Sequence, residues 1–402
     1  MKILLADALP ASAVARLEAA GDDVLVDPSL TETSLGGALA GVEVLVVRST
    51  RVTAEALAAA DELALIVRAG AGTNTIDTAA AAALGIFVCN VPGQNALAVA
   101  ELAMGLLISV DRHIASATAD LRDGKWNKSA YSKADGLYGK SLGIIGLGDI
   151  GLAMAERATG FGIDVIAVDK PDRAAATVEQ AERAGVRFVP TLDELLSSVD
   201  IVSLHVPGGA DTKGMVDAGF LAKMRDRAIL INTSRGDVVD EAALIDAMTT
   251  RGLRAGLDVF ADEPGSGTAE FTSALAGHPS VVATHHVGAS TEQAQQAVAD
   301  GTIDVIDEYR AGGVPVNCVN MQAVPDRAAT ISIRHQDRVG VLAAVLAILR
   351  ASDLNVSTMS NKVFAGAKAA VATIDVAAVP DAEILDQIRS HEHVINVAVT
   401  LA

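Results

Sequence analysis

Ser141-Leu142-Gly143-Ile144-Ile145-Gly146-Leu147-Gly148-Asp149-Ile150-Gly151 decides how this chain folds. The first five residues are a short apolar run of the kind that makes a buried strand, and three glycines follow at the spacing of a tight strand-to-helix turn. In such a turn Gly146 makes the sharp bend, Gly148 lets a pyrophosphate approach the backbone, and Gly151 lets helix and strand pack closely. Asp149 and Ile150 sit inside the turn, where the amides of the opening helix face the anion, so both join the candidate cofactor contacts. Eighteen residues beyond Gly151, Asp169 closes the next apolar run, 164–168. A carboxylate there accepts both ribose hydroxyls and repels a 2′-phosphate, so NAD is expected over NADP. Lys170 and Arg173 beside it oppose that preference. A merely ornamental glycine turn is the competing reading, and Asp169 at this distance argues against it.

Outward from this stretch, short aliphatic runs alternate with Ala-rich helical stretches. Strand candidates are 2–6, 44–47, 65–68 and 87–90 on one side, and 141–145, 164–168, 201–204, 228–232 and 255–257 on the other. Such alternation means βαβ units, hence two parallel sheets with helices on both faces. A helix of about fifteen residues starting near Asn95 is read as the bridge between two lobes. From about Arg327 the pattern changes to strand, helix, two strands, helix, strand, a small α+β module of ferredoxin-like type whose two halves are the one hint of repetition. Pro315 and residues 321–325 mark the linker before it. The expected architecture is a flavodoxin-like lobe from 1–94 and 287–320, a Rossmann lobe from 95–286, and the α+β module from 327–402.

Composition restricts the function. The chain has 402 residues, too many for one core, and only 3% are aromatic, so small side chains must pack helices onto sheets. A net charge of −19 leaves no basic stripe for a nucleic acid and repels an anionic membrane. The N-terminal run 1–6 is broken by Asp7 and Pro10 and reads as a first strand rather than a signal peptide. The apolar stretch 96–110 is interrupted by Glu101 and is too short to span a bilayer. Cys89 and Cys318 are the only cysteines, which excludes a disulfide framework or a zinc site and points to a reducing cytoplasm; no metal is expected.

Three charged residues then fall in order within tight contexts: Arg235 in Asn232-Thr233-Ser234-Arg235-Gly236, Glu263 in Leu257-Asp258-Val259-Phe260-Ala261-Asp262-Glu263-Pro264, and His286 in Thr284-His285-His286-Val287-Gly288. A guanidinium can grip a carboxylate and a reacting oxygen, an imidazole can move a proton, and a carboxylate can fix the imidazole's tautomer and raise its pKa. That is the equipment for moving a hydride onto or off a 2-hydroxy acid; an exposed ion-pair network is the bland alternative. His285 is a second candidate for the imidazole. His205 and Pro207, Thr233 and Asp258 end apolar runs, so they should lie along the carboxyl edge of the sheet beside the cofactor; ordinary loop polarity is the alternative for each.

These segments resemble those of the D-isomer-specific 2-hydroxy-acid dehydrogenases, and the resemblance covers residues 1–320. It implies two lobes with the site in the cleft between them, NAD as cofactor, Arg235 on the substrate carboxylate and carbonyl, His286 in acid–base work, and Glu263 orienting His286. A proline usually precedes the family's histidine, where this chain has His285.

The first lobe offers Arg48-Ser49-Thr50-Arg51 and Arg68-Ala69-Gly70-Ala71-Gly72 after strands. Amides around Gly70 can form a nest for a carboxylate, and Arg48 and Arg51 suit a second anion such as a phosphate, unless they are solvated loop charges. Asn90-Val91-Pro92-Gly93-Gln94-Asn95 and Gly124-Lys125-Trp126-Asn127-Lys128 resemble members of the family that act on a phosphorylated hydroxy acid, which implicates Arg48, Ser49, Arg51 and Asn95 in substrate contact. Trp126, the only tryptophan, is read as a packing or interface residue. The opening of the last module, Ile331-Ser332-Ile333-Arg334-His335-Gln336-Asp337-Arg338-Val339-Gly340, is similar to an ACT domain, a regulatory fold that binds small amino acids between subunits. The resemblance implies serine as effector at His335, Asp337 and Asn355; a module serving oligomerisation alone is the alternative. Asp337 and Val339 depart from the usual Asn and Pro. A homodimer or homotetramer is expected. Rival readings are a glyoxylate or hydroxypyruvate reductase, which would not need the last module, and an NAD-sensing binding protein on the same fold.

Overall fold

A computed structural model describes residues 1–264, 268–322 and 327–402, in two compact units, Met1–Asn320 and Met321–Ala402. In the first unit, β1 (Lys2–Leu5), β2 (Asp23–Val26), β3 (Val44–Val47), β4 (Leu65–Arg68) and β5 (Phe87–Asn90) form a parallel sheet in the order β2-β1-β3-β4-β5. This is the flavodoxin-like order. All four residues of β3 are buried, as a central strand covered by helices on both faces requires.

A second parallel sheet contains β6 (Ser141–Ile145), β7 (Asp164–Val168), β8 (Arg187–Val189), β9 (Ile201–Leu204), β10 (Ile229–Asn232), β11 (Arg254–Leu257) and β12 (Val281–Ala283). Its order, β12-β11-β10-β9-β6-β7-β8, reverses direction between β6 and β9, so a crevice opens there at the carboxyl ends of the strands. The edge strands β2 and β8 do not stand out in the sequence. Asp23 and Arg187 open them, each strand keeps only part of its surface buried, and no continuous apolar run results.

Two long helices tie the sheets into one unit. Ala96–Arg112 packs along the helix Asp149–Gly160 and across β10 and β11, so it belongs to the second sheet as much as it bridges. It lies so close to β11 that a Cβ on Gly256 would come 2.9 Å from that of Leu106. The helix Glu292–Arg310 returns to the first sheet and buries Ala299, Ile303 and Ile306 with Leu5, Val46 and Val67. Thr291 caps it by accepting the Ala294 amide at 3.1 Å. The chain then runs antiparallel beside β5, Asn90 N–H donating to the Asn317 carbonyl and Val319 N–H to that of Val88. Pro315, expected to mark the linker, is therefore buried within the first unit. Of the remaining expected linker, residues 323–325 lie outside the described residues.

The second unit is a four-stranded antiparallel sheet of β13 (Ala329–Gln336), β14 (Val356–Val363), β15 (Ala369–Val376) and β16 (Val394–Leu401), in the order β14-β15-β13-β16. The helices Val341–Ala351 and Ala382–Ser390 cover one face, with Val345, Leu349 and Ile388 against Ile331, Ile333 and Ile374. Alternate residues of β15 are buried, the period-two pattern of a sheet with one wet face. This is the ferredoxin-like topology. Among the described residues no helix is long and apolar enough to cross a membrane.

Candidate active site

The glycine turn forms as its spacing requires. Gly146 has φ 94°, and a Cβ there would sit 2.2 Å from the His205 carbonyl oxygen, across the crevice from β9. A Cβ on Gly151 would lie 2.1 Å from the Gly146 carbonyl oxygen, so only hydrogen permits the helix Asp149–Gly160 to start this near the strand. Gly148, by contrast, precedes that helix with open space where its Cβ would point. Two glycines are needed by the protein's own backbone and one leaves room for a ligand, which is how a dinucleotide's pyrophosphate is accommodated. Asp169 stands exposed just past β7. Arg173 donates to the Val168 carbonyl at 2.9 Å and its guanidinium lies 5.1 Å from the centre of the Phe188 ring. Asp149 faces Gly93 instead of open space.

A cavity of about 1520 Å³ continues from this edge into the cleft between the two sheets. Ile150, His205, Pro207, Thr233, Arg235, Asp258, Glu263, His285 and His286 line it from the second lobe, Arg48, Ser49, Arg68 and Gly70 from the first, and Asn95 from the start of the helix Ala96–Arg112 between them. Gly146, Gly148, Asp149, Gly151 and Asp169 are not in this lining; they flank it along the sheet edge. Three polar atoms of residues lining the cavity, Arg68 Nε, His205 Nδ1 and Thr233 Oγ1, are buried without a hydrogen-bond partner. The other nitrogen of His205 meets Ser203 Oγ at 2.9 Å, and burial depresses its pKa to about 4, so this ring is neutral at physiological pH. Buried polar atoms left open in this way are available to a ligand or a water.

The charged set assembles at the cleft. His286 Nδ1 lies 2.6 Å from Glu263 Oε2, while Glu263 Oε1 accepts the Phe260 amide at 2.9 Å. The hydrogen bond to Glu263 raises the His286 pKa against the opposing effect of burial, with the charges of Glu263 and Asp258 helping. On Glu263, burial pushes upward but is outweighed by the bonds from His286 and the Phe260 amide and by the charge of Arg235, which hold the carboxyl below its ordinary range. With Nδ1 committed to Glu263, Nε2 is the nitrogen left for a substrate. His285 has no such partner and is exposed, although it too lines the cavity.

His286 depends on a local knot. It adopts φ 53°, and its amide donates to the Asp258 carbonyl at 2.7 Å. The buried Asp258 carboxylate accepts Thr284 Oγ1 at 2.5 Å and the amides of Val287 and Gly288 at 2.9 and 2.8 Å. Asp258, expected beside the cofactor, therefore already braces the loop that presents the histidine. Arg235 is fixed similarly. Asn232 Nδ2 donates to its carbonyl at 2.9 Å, and Gly236 is pressed so close to Phe260 that a Cβ would fall 1.9 Å from that carbonyl carbon. Its Nη2 lies near Gly72 of the first lobe.

The first lobe corrects two expectations. Arg51 is outside the cavity lining, largely exposed, and 3.7 Å from Glu32. Ser49 lines the cavity but donates its hydroxyl to Asp7 at 2.6 Å. Asp7 also accepts the amides of Arg48, Ser49 and Thr50 at 2.7, 3.1 and 3.1 Å, so this carboxylate shapes the turn that carries Arg48. The second guanidinium is Arg68, which the sequence reading passed over. It ends β4, and its side chain folds back over Gly70, where a Cβ would collide with Nη1 at 1.7 Å. Burial and the charges of Arg235 and Arg48 lower its pKa, with Asp7 opposing, and its Nε is buried without a partner. An arginine ending an apolar run two residues before a glycine was the available signal. Asn95 lines the cavity and makes no side-chain bond to the helix it precedes. Trp126 is 82% exposed and outside the lining.

In the second unit His335 is buried, with Nδ1 2.7 Å from the Gln336 carbonyl and Nε2 3.1 Å from Asn361 Oδ1. Asp337 is exposed beyond the end of β13, whereas Asn355 precedes β14 at the opposite end of the sheet, where Val356 pairs with Val376. One copy does not bring the three together.

Two doubly wound lobes, a glycine turn at a strand end and an arginine–carboxylate–histidine set thus meet at one cleft. Residues 104–288 match the NAD-binding domain of the D-isomer specific 2-hydroxyacid dehydrogenases. A hydroxypyruvate reductase of Thermotoga maritima is 44% identical over 269 residues, 66% of this chain and 84% of that protein. The structure of a putative D-isomer specific 2-hydroxyacid dehydrogenase from Polaromonas superposes with a TM-score of 0.71 at 32% identity, covering 79% of this chain and 99% of that one. The chain belongs to the D-isomer specific 2-hydroxyacid dehydrogenase family. A D-3-phosphoglycerate dehydrogenase of Methanocaldococcus jannaschii is 38% identical over 327 residues, 81% of this chain. The chain spans about three fifths of the length of such relatives, 60% in this case.

Proposed function

We propose that the protein oxidises D-3-phosphoglycerate to 3-phosphohydroxypyruvate with NAD, the reaction that opens serine synthesis, in the cytoplasm. The observation that carries this reading is the convergence of Arg48, Arg68 and Arg235 on one cavity, without an ion pair to any described carboxylate. A substrate with one carboxylate needs one guanidinium; three of them, on a chain of net charge −19, suit a substrate that also carries a phosphate. The similarity to D-3-phosphoglycerate dehydrogenases supports the choice.

The residues present fit NAD: Gly148 leaves room for the pyrophosphate, Asp169 is free for the ribose, and His205 and Thr233 offer open polar atoms. NAD, when bound, supplies the hydride acceptor. Arg235 holds the substrate carboxylate and the reacting oxygen, and Arg48 and Arg68 hold the phosphate. Nε2 of His286 takes the hydroxyl proton as the alcohol becomes a ketone, and Glu263 stabilises the imidazolium that results. In the reverse direction His286 returns that proton.

Rates of NADH formation with 3-phosphoglycerate, glycerate, lactate and 2-hydroxyglutarate test the reading. A strong preference for 3-phosphoglycerate is expected, and equal rates with glycerate would remove the phosphate role of Arg48 and Arg68. The second unit, with its ferredoxin-like topology and resemblance to an ACT domain, is proposed as a regulatory module for a small amino acid such as serine. A site built from His335, Asp337 and Asn355 would need residues of two copies, consistent with a homodimer or homotetramer.

A further inference from the structure

Cys89 and Cys318, the only cysteines of the chain, face each other. Cys89 is the third residue of β5 and fully buried; Cys318 lies in the returning segment and is partly exposed. They form an isolated antiparallel bridge. The hydrogen bonds that flank them, Asn90 N–H to Asn317 O at 3.2 Å and Val319 N–H to Val88 O at 2.8 Å, make this a non-hydrogen-bonded pair. In such pairs the Cα atoms approach to about 4.5 Å and the side chains lean together, within the range a disulfide spans. The register is pinned, because Asn320 accepts the Val88 amide and donates to the Ile86 carbonyl, both at 2.8 Å. Cys318 Sγ also donates to Asn320 Oδ1 at 3.3 Å, and burial together with Cys318 pushes the Cys89 thiol well above its ordinary range.

We propose that Cys89 and Cys318 form a reversible disulfide that fastens the end of the first unit to β5, three residues before the second unit begins at Met321. The reaction does not depend on the proposed catalytic activity. The oxidant is a low-molecular-weight disulfide. Thiolate Cys318, the accessible partner, attacks one of its sulfurs and releases the first small thiol, giving a mixed disulfide. Cys89 then loses its proton, attacks Cys318 Sγ and expels the second small thiol. One sulfur–sulfur bond forms in the protein and one breaks in the reagent; two protein thiols are oxidised, and the small disulfide is reduced to two thiols that carry the protons. A dithiol reductant reverses the exchange.

The full-length folded protein is incubated with oxidised glutathione, quenched in acid and alkylated, and its intact mass and peptides are measured. The expected product lacks two hydrogens, takes up no alkylating reagent without reduction, and yields one peptide pair joined through Cys89 and Cys318. Its thermal midpoint should rise by about 5 °C and return on reduction, because the cross-link closes a long loop of the unfolded chain. Cys318→Ser should leave Cys89 unmodified, and Cys89→Ala should stop at the mixed disulfide on Cys318. Full alkylation of both thiols after oxidation, or a stable glutathione adduct on Cys318 in the unmutated protein, would overturn the proposal. The mass measurement on the unmutated protein decides it even if a variant fails to fold.

Discussion

Two adjacent histidines differ here in one hydrogen bond, and that bond is what assigns the proposed base to His286. His286 reaches Glu263 at 2.6 Å while His285 does not. Replacing His286 by Ala should lower turnover by about 10²–10⁴-fold while NADH binding, followed by fluorescence, is retained; undiminished turnover would sink the assignment. The pH dependence has a defined sign. Oxidation needs the neutral imidazole, and Glu263 raises the His286 pKa from the ordinary 6.5, so the rate should climb with pH through a value above 6.5. Glu263→Gln removes the largest cause of that rise, so the climbing limb should move to lower pH as the maximal rate falls. A limb that stays in place would show that Glu263 does not set the histidine's pKa. Arg68→Gln should raise KM for 3-phosphoglycerate about 10–100-fold, the worth of a charged hydrogen bond, and leave glycerate oxidation nearly unchanged. If both substrates suffer alike, Arg68 has a structural role instead.

At the scale of elements, close packing sets the geometry of the cofactor turn. Gly151→Ala would drive a methyl against the Gly146 carbonyl, so the helix Asp149–Gly160 must shift. A loss of about 1–3 kcal/mol is expected in chemical denaturation, with weaker NADH binding, whereas Gly148→Ala should fold normally and bind NADH less well. Equal stability losses in the two variants would contradict the distinction between them. The central strands were legible because a parallel strand buried on both faces reads as a near-continuous apolar run, as β3 does. The edge strands β2 and β8 were not, because an edge carries charges such as Asp23 and Arg187 and breaks the run. Pro315 misled for a related reason: a proline marks a turn, but whether residues 316–319 leave the body or pack against it is decided by a distant strand, here β5.

Over the whole molecule, charge is distributed against the average. A chain of net charge −19 gathers three arginines around one cavity, an arrangement that would concentrate the proposed anionic substrate there. The rate with 3-phosphoglycerate should therefore fall as salt rises, through a higher KM at unchanged kcat, and a salt-independent KM would refute electrostatic capture. Serine titrated into the assay tests the second unit: inhibition at millimolar serine is expected if it binds the amino acid, and an unchanged rate removes the effector role.

By itself the sequence determined the two doubly wound lobes, the α+β module, the glycine turn, and the candidates Arg235, Glu263 and the adjacent His285 and His286. These rest on local rules: apolar period, glycine at positions where a Cβ has no room, and residue types in short contexts. The tertiary structure alone decided that His286 rather than His285 meets Glu263, and that Asp258 holds the loop that presents it. It also placed Arg68 in the cavity and turned Arg51 out to Glu32. In each case the deciding partner is a side chain or carbonyl brought in from another strand or loop, and nothing in the local sequence records which way a loop side chain will turn.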